Sequence, residues 1–156
     1  GHTAIVASTE FESIRCLVTW SAVANYIGRW TEEKIKAWKE KGFIDVPNSR
    51  TGQIMKVGKL VYEDAVQNAD RLMAINRMRD LRIPSLFIHA RADETVPYTD
   101  SEELHIKCAA KDKELRFVSN TGHTYGAKHP FEGDQYPKPF EEVLDWTIGW
   151  FREHLR

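Results

Sequence analysis

Residues 83–97 read Ile-Pro-Ser-Leu-Phe-Ile-His-Ala-Arg-Ala-Asp-Glu-Thr-Val-Pro. The first half of this stretch is a short apolar run entered through Pro84, which predicts a buried strand. The second half is polar and carries Asp93 in the loop that follows the strand. In parallel α/β sheets, functional groups lie in the loops beyond the carboxyl ends of the strands. The stretch therefore predicts a strand with a candidate functional acid directly after it.

Helices and strands alternate on both sides of this stretch. The predicted elements are a helix over 3–11 with a small apolar face, a strand over 14–20, a helix over 99–110, a strand over 115–118 and a closing amphipathic helix over 139–155. Such an alternation predicts a parallel sheet with flanking helices.

The region from about 22 to 80 interrupts this alternation. Thr31 is a good N-cap for a helix that Gly42 ends, and the turn-forming residues within 45–56 predict a hairpin. The apolar spacing over 60–78 predicts a second helical region. We therefore interpret about 22–80 as a cap insertion, with 81–156 carrying the acid and histidine segments.

Composition narrows the class of protein. The 156 residues fit one domain, since domains span roughly 100–200 residues. Hydrophobic residues make up 42% and charged residues 29%, which excludes collagen-like, disordered and disulfide-dense chains. The formal net charge of −1 gives no basic field for nucleic acid.

No apolar run approaches the roughly 18 residues of a membrane span. The two cysteines, Cys16 and Cys108, indicate neither a disulfide framework nor a metal site.

A second polar loop, over 119–125, follows the strand at 115–118 and carries His123. Because neighbouring parallel strands end at the same edge of a sheet, we expect Asp93 and His123 to lie together. A carboxylate there accepts the imidazole N–H, fixes its tautomer and stabilises the imidazolium. The other ring nitrogen is then free to act as general base and acid. Alone, Asp93 is typical of a turn former or helix cap, and His123 of a solvated loop residue. Gly122 removes a side chain where the backbone turns to aim the imidazole.

On these two motifs the sequence resembles the α/β-hydrolase fold family, most closely its dienelactone hydrolase and prolyl-oligopeptidase-like branch. Residues 83–97 resemble the family's triad-acid segment, and residues 120–125 its triad-histidine segment before the last helix. The resemblance covers nearly the whole chain and implies the C-terminal part of an α/β-hydrolase. It implies a serine hydrolase of carboxylic esters or acyl peptides. In such an enzyme His123 would transfer the proton and Asp93 would orient the His123 imidazole. No cofactor is implied.

The nucleophile of that family is a Ser on a G-x-S-x-G turn, ahead of the acid and the histidine. No such motif occurs in the sequence. The nearest candidate, residues 1–5, is rejected because Ile5 replaces the second glycine and no strand precedes it. A better alignment makes Gly1 the glycine after this turn, with the Ser roughly three residues before it. Ser21 follows a strand at the same edge, but it lacks the tight glycines and is interpreted as a helix or turn cap.

The resemblance also places the oxyanion-hole donors at or before Gly1. We therefore expect the chain to be inactive alone and to need the N-terminal half of the same hydrolase, as a separate chain or a preceding segment. That half would cover the strand at 14–20, whose open apolar edge is an aggregation hazard. The alternative is a non-catalytic α/β-hydrolase-like binding or assembly module. A Ser within G-x-S-x-G upstream of Gly1 would favour the enzyme.

Aromatic residues near the two loops suggest substrate contact, and Trp20 and Tyr125 are the candidate substrate-binding residues. The aromatic side chains of the insertion are interpreted mainly as packing. His129 and Asp134 have metal-ligand spacing but no third ligand, so no metal is expected. Four further histidines have no partner pattern in the sequence: His2, His89, His105 and His154.

Overall fold

The computed structural model describes residues 1–48 and 51–155, which form a mixed α/β structure. Its elements in chain order are α1 (His2–Glu10), β1 (Leu17–Trp20), α2 (Glu32–Lys41), β2 (Phe43–Pro47), β3 (Ile54–Gly58), α3 (Lys59–Gln67), α4 (Ala69–Leu72), α5 (Ala74–Arg77), β4 (Ser85–Ala90), α6 (Thr99–Lys107), β5 (Lys113–Val118) and α7 (Lys138–His154). The predicted alternation of helices and strands is confirmed, with boundaries shifted by a few residues.

The main sheet has three parallel strands in the order β1-β4-β5. All six residues of the central strand β4 are buried, as its continuous apolar sequence predicts. The last register pair joins Ala90 of β4 to Val118 of β5. The loops that follow these two strands therefore leave the sheet side by side.

Helices cover both faces of this sheet. Alternate residues of a strand point to opposite faces. Phe87 accordingly packs in the core that α1, α5 and α6 complete. Leu86 and Ile88 pack on the other face, against Val143 and Trp150 of α7. The predicted parallel sheet with flanking helices is thus confirmed.

β1 lies at one edge of the sheet. It pairs with β4 on one side. Within the described ranges, no strand pairs with its other side. An open strand edge presents unpaired N–H and C=O groups to any chain that can add a strand.

The region between β1 and β4 contains the predicted capped helix and hairpin. The Thr31 hydroxyl accepts a hydrogen bond from the Lys34 amide at the start of α2. Gly42 ends α2 in the left-handed conformation (φ 78°), which a residue without a Cβ adopts at little cost. β2 and β3 pair as an antiparallel hairpin. Ser49, part of the predicted turn, lies outside the described residues.

The predicted helical region over 60–78 is confirmed. It consists of three short helices, with breaks at Asn68 and Met73. The Asn68 amide donates hydrogen bonds to the Asp64 backbone and carboxylate, a local bonding that competes with helix continuation. Val61, which the apolar spacing over 60–78 places on the inner face, is exposed. Met78, by contrast, is buried against the main sheet.

Both cysteines are free thiols buried in the core. Burial raises the pKa of the Cys16 and Cys108 thiols, so these groups are unreactive at neutral pH. Across the described part of the chain, no helix combines the length and apolar character needed to cross a membrane.

Candidate active site

Asp93 and His123 meet at the carboxyl edge of the sheet, as the sequence predicts. Asp93 lies in the loop after β4 and His123 in the loop after β5. The distance from His123 Nδ1 to Asp93 Oδ2 is 2.9 Å. Because an ionised carboxylate only accepts hydrogen bonds, Nδ1 carries the proton and Nε2 is left as the free acceptor.

Asp93 is held by its own loop. Its Oδ1 accepts hydrogen bonds from the backbone amides of Thr95 (2.9 Å) and Val96 (2.8 Å). The carboxylate is fully buried, whereas the imidazole of His123 is 41% exposed. The two oxygens thus have separate partners: Oδ1 fixes the loop, and Oδ2 faces His123.

The pKa of Asp93 lies below its ordinary value of 3.8. Burial alone would raise this pKa, because it disfavours the charged form. Hydrogen bonds from Val96, His123, Ser21 and Thr95 outweigh the burial. Asp93 is therefore ionised at neutral pH, as an acid that orients an imidazole must be.

The loop that carries His123 is bent at three positive-φ residues. Asn120 (φ 55°) precedes the histidine, and Tyr125 (φ 54°) and Gly126 (φ 81°) follow it. Gly122 has an ordinary φ, so the sharp bends expected at that glycine occur on either side of it. The imidazole is thereby directed at the cleft rather than at the core.

A cleft of about 770 Å³ opens in front of His123. Its walls come from the N-terminus of α1, the end of β1, the segment that follows β1 and the loop after β4. Its lining residues include Gly1, Thr3, Trp20, Ser21, Tyr26, Arg29, Trp30, Lys34 and His123. Lys34 and Arg29 are its charged residues, and Arg29 donates a hydrogen bond to the Thr95 backbone carbonyl. The segment after β1 therefore contacts the loop that carries Asp93.

Ser21 is a buried member of this site rather than a helix or turn cap. It follows β1 in a left-handed conformation (φ 43°) and is 5% exposed. Its hydroxyl lies 3.0 Å from the Tyr125 hydroxyl, and it also hydrogen-bonds the Asp93 carboxylate. The Ser21 hydroxyl is thus engaged by the acid and by a tyrosine.

The two predicted substrate-binding residues have different surroundings. Trp20 lines the cleft, and its indole N–H donates to the Thr147 hydroxyl at 2.9 Å. Tyr125 is buried behind the cleft, where its hydroxyl donates to the Ile88 carbonyl at 3.3 Å. Burial raises the pKa of Tyr125 to about 12. The two rings touch edge to face, so Tyr125 supports the wall that Trp20 forms.

His89, which the sequence left without a partner, lies directly behind the acid. It is fully buried on β4, with Nδ1 2.6 Å from the Ser101 hydroxyl and Nε2 2.9 Å from the Val96 carbonyl. The sequence contained one signal for this contact, a histidine inside an otherwise apolar strand. Such a histidine is buried, and buried polar groups in native structures are hydrogen-bonded, so partners for its ring nitrogens were to be expected.

His129 and Asp134 lie in the long exposed loop before α7. In the ranges that the structure describes, no three His, Cys, Asp or Glu side chains are grouped to hold a metal ion. The contact between Asp93 and His123 is a direct hydrogen bond.

Comparison with known proteins finds similarity in structure. No protein-family model and no curated protein sequence matches the chain. The esterase domain of a Rhodothermus marinus protein is 14% identical over 99% of this chain and 58% of its own length, with a TM-score of 0.62. The monoacylglycerol lipase of Paleococcus ferrophilus is 14% identical over 92% of this chain and 62% of its own, with a TM-score of 0.61.

Mouse alpha/beta hydrolase domain-containing protein 10 is also similar, at 17% identity and a TM-score of 0.65. The match covers 99% of this chain and 57% of the mouse protein. The chain thus spans about three fifths of the length of the first two structures that it matches. At these identities the likeness establishes the fold: a parallel sheet with flanking helices, arranged as in α/β-hydrolases.

Proposed function

We propose that this chain supplies the acid and the base of a serine hydrolase that acts on carboxylic esters or acyl peptides. The observation that carries the proposal is the Asp93–His123 hydrogen bond of 2.9 Å at the edge of an α/β-hydrolase sheet. Asp93 is ionised and buried, and the free Nε2 of His123 is on the exposed side of the pair. This is the arrangement of an imidazole general base oriented by a carboxylate.

The nucleophile is proposed to be a Ser supplied by residues that precede Gly1, in the same protein or in a separate chain. Two features support this position. The N-terminus of α1 lines the same cleft as His123. Gly1 also packs so closely on the end of β1 that a Cβ there would come within 2.6 Å of Ala22 Cβ. A glycine with such a close approach fits the alignment in which Gly1 follows the strained G-x-S-x-G turn.

In the proposed reaction, the Ser hydroxyl attacks the ester carbonyl and His123 Nε2 takes its proton. Asp93 holds Nδ1–H and stabilises the imidazolium that forms. The imidazolium then gives the proton to the departing alkoxide, which leaves an acyl-enzyme. Water attacks the acyl group, again with Nε2 as the base, and releases the acid. The oxyanion-hole donors are assigned to the same preceding segment as the Ser.

An ester substrate is favoured because two of the similar structures are an esterase domain and a monoacylglycerol lipase. The aromatic rings of Trp20, Tyr26 and Trp30 offer the cleft an apolar wall for an acyl or aryl group. We propose that the insertion acts as a cap over this cleft. The closer assignment to the dienelactone hydrolase and prolyl-oligopeptidase-like branch rests on residues 83–97 and stays a prediction.

The partner in this proposal is the N-terminal half of the same hydrolase. Its last strand would pair with the open edge of β1 and end at the nucleophile. This arrangement would satisfy the unpaired backbone groups of β1 and complete the cleft with one added segment.

The test is to produce the chain together with the residues encoded before Gly1, and to measure hydrolysis of p-nitrophenyl butyrate and labelling by a fluorophosphonate. We expect a labelled Ser upstream of Gly1 and a loss of kcat/KM of roughly 10³-fold or more in His123→Ala. His129→Ala, which removes an exposed loop histidine, is the matched control and should retain the activity.

The 156-residue chain alone should neither turn over the ester nor react with the probe. Undiminished turnover in His123→Ala would refute the assignment of the base. Absence of turnover and labelling from the longer protein would favour the binding or assembly module instead.

A further inference from the structure

The buried side chain of His89 makes hydrogen bonds in addition to its packing contacts. Its side chain is fully inaccessible, one residue before the end of the central strand β4. Both ring nitrogens have partners: Ser101 Oγ at 2.6 Å from Nδ1, and the Val96 carbonyl at 2.9 Å from Nε2. Burial holds the pKa of His89 below its ordinary value, so the ring is neutral.

These partners determine where the single proton of the neutral ring lies. A carbonyl oxygen only accepts hydrogen bonds, so Nε2 must carry the proton that Val96 receives. Nδ1 is then the acceptor, and the Ser101 hydroxyl donates to it. In this one tautomer the His89 ring, the Ser101 hydroxyl and the Val96 carbonyl all have hydrogen-bond partners.

The Nε2–H of His89 also faces the acid. Its distance to Asp93 Oδ2 is 3.4 Å, and Oδ2 is the oxygen that accepts from His123. Val96, whose carbonyl His89 holds, is the residue whose amide donates to Asp93 Oδ1 at 2.8 Å. His89 therefore contacts the acid loop at two points, the Val96 peptide and the carboxylate.

We propose that His89 is a positioning residue for the triad acid: its Nε2–H holds residue Val96 by its carbonyl, so that the Val96 amide binds Oδ1 and the Asp93 carboxylate presents Oδ2 to His123. Its catalytic consequence rests on the function proposed above. The positioning itself is a property of this chain and is measurable without turnover.

The test compares two amide substitutions on the ¹⁵N-labelled chain. In His89→Gln, the amide nitrogen reaches about the position of Nε2 and can still donate to Val96. In His89→Asn, the shorter amide reaches Ser101 but falls short of Val96. Ser101→Ala is the matched control, since it removes a buried hydrogen bond on the far side of the ring.

The readout is the solvent-exchange rate of the His123 Nδ1 proton, with the melting temperature measured in parallel. We expect His89→Asn to speed this exchange about tenfold, the effect of losing roughly one net hydrogen bond. His89→Gln should restore the slow exchange. Ser101→Ala should lower the melting temperature and leave the exchange slow.

Equal exchange rates in the Asn and Gln variants, or fast exchange in Ser101→Ala, would reduce His89 to a packing residue and overturn the proposal. A measurement on the unaltered chain gives a second check that needs no variant. The ¹⁵N shifts of His89 must report a neutral ring protonated at Nε2, and protonation at Nδ1 would overturn the proposal. Because neither readout uses activity, failure of the hydrolase assay leaves this test intact.

Discussion

Asp93 has two oxygens with separate partners, so substitutions by Asn and by Ala should have separable effects. Asn keeps an acceptor at Oδ1 for the Thr95 and Val96 amides, but it places an N–H donor where Oδ2 met His123. Ala removes both oxygens. We therefore expect Asp93→Ala to weaken the fold, and Asp93→Asn to leave the fold nearly intact while it reverses the tautomer of His123.

The magnitudes follow from the burial of the two amides. A hydrogen bond to a charged group contributes about 1.5–3 kcal/mol. Val96 is 3% exposed, so its amide cannot turn to water, whereas Thr95 is exposed and its amide can. Asp93→Ala should thus lower the free energy of unfolding by about 2–4 kcal/mol, and Asp93→Asn by about 1 kcal/mol or less.

Urea unfolding followed by tryptophan fluorescence measures the first effect, and ¹⁵N NMR of His123 measures the second. Asn should move the His123 proton from Nδ1 to Nε2. On the proposed function, this reversed tautomer should lower the kcat of the assembled hydrolase by about 10⁴-fold, the loss that a wrongly oriented imidazole causes in a Ser-His-Asp triad. Glu94→Ala, an exposed change in the same loop, is the control and should change stability by less than about 0.5 kcal/mol.

Two results would refute this reasoning. If Asn destabilises the chain as much as Ala, the Oδ1 contacts do not hold the loop. If His123 keeps its proton on Nδ1 in the Asn variant, the Oδ2 contact does not determine the tautomer.

Other measurements test other parts of the structure. Because burial lowers the pKa of His89, the unfolded chain takes up this proton first as pH falls below about 6.5. The free energy of unfolding should therefore decline from pH 7 to 5, with a contribution from His89 that approaches a slope of about 1.4 kcal/mol per pH unit, and urea titrations should show a shallower decline in His89→Gln. Trp38 is 1% exposed and donates to the Val57 carbonyl, so Trp38→Ala should cost about 3–5 kcal/mol by urea unfolding, and Trp38→Phe clearly less. A Cβ at Gly42 would meet no atom within 4 Å, so only the left-handed backbone opposes Gly42→Ala. This substitution should lower the free energy of unfolding by about 1–2 kcal/mol, measured by thermal melting.

The parts of the fold that the sequence predicts are those set by local pattern. The apolar run before Asp93 and the shorter one before His123 each define a strand and the loop after it. Since parallel neighbours share their carboxyl edge, the contact between the two side chains follows from the strand order alone. The cap of α2 at Thr31 and its end at Gly42 are equally local.

The remaining features depend on packing between distant segments. The breaks at Asn68 and Met73 arise where side-chain bonding and core contacts override an apolar spacing that suits one long helix. Tyr125 is buried because its ring packs in the core beneath α7, which nothing in its own loop indicates. Ser101, one of the two hydrogen-bond partners of His89, lies one element away along the chain, so this contact is visible only after α6 is placed on the sheet.

Asp93 and His123 lie in the loops that follow two adjacent strands of one chain, and these two loops form their hydrogen bond. On the proposed function, a complementary fragment would have to bring only the nucleophile and its oxyanion donors. Activity would then require both fragments to be present and assembled, because the base is already oriented in this one. A chain with this property suits a complementation reporter, in which ester hydrolysis signals that two fused proteins have met.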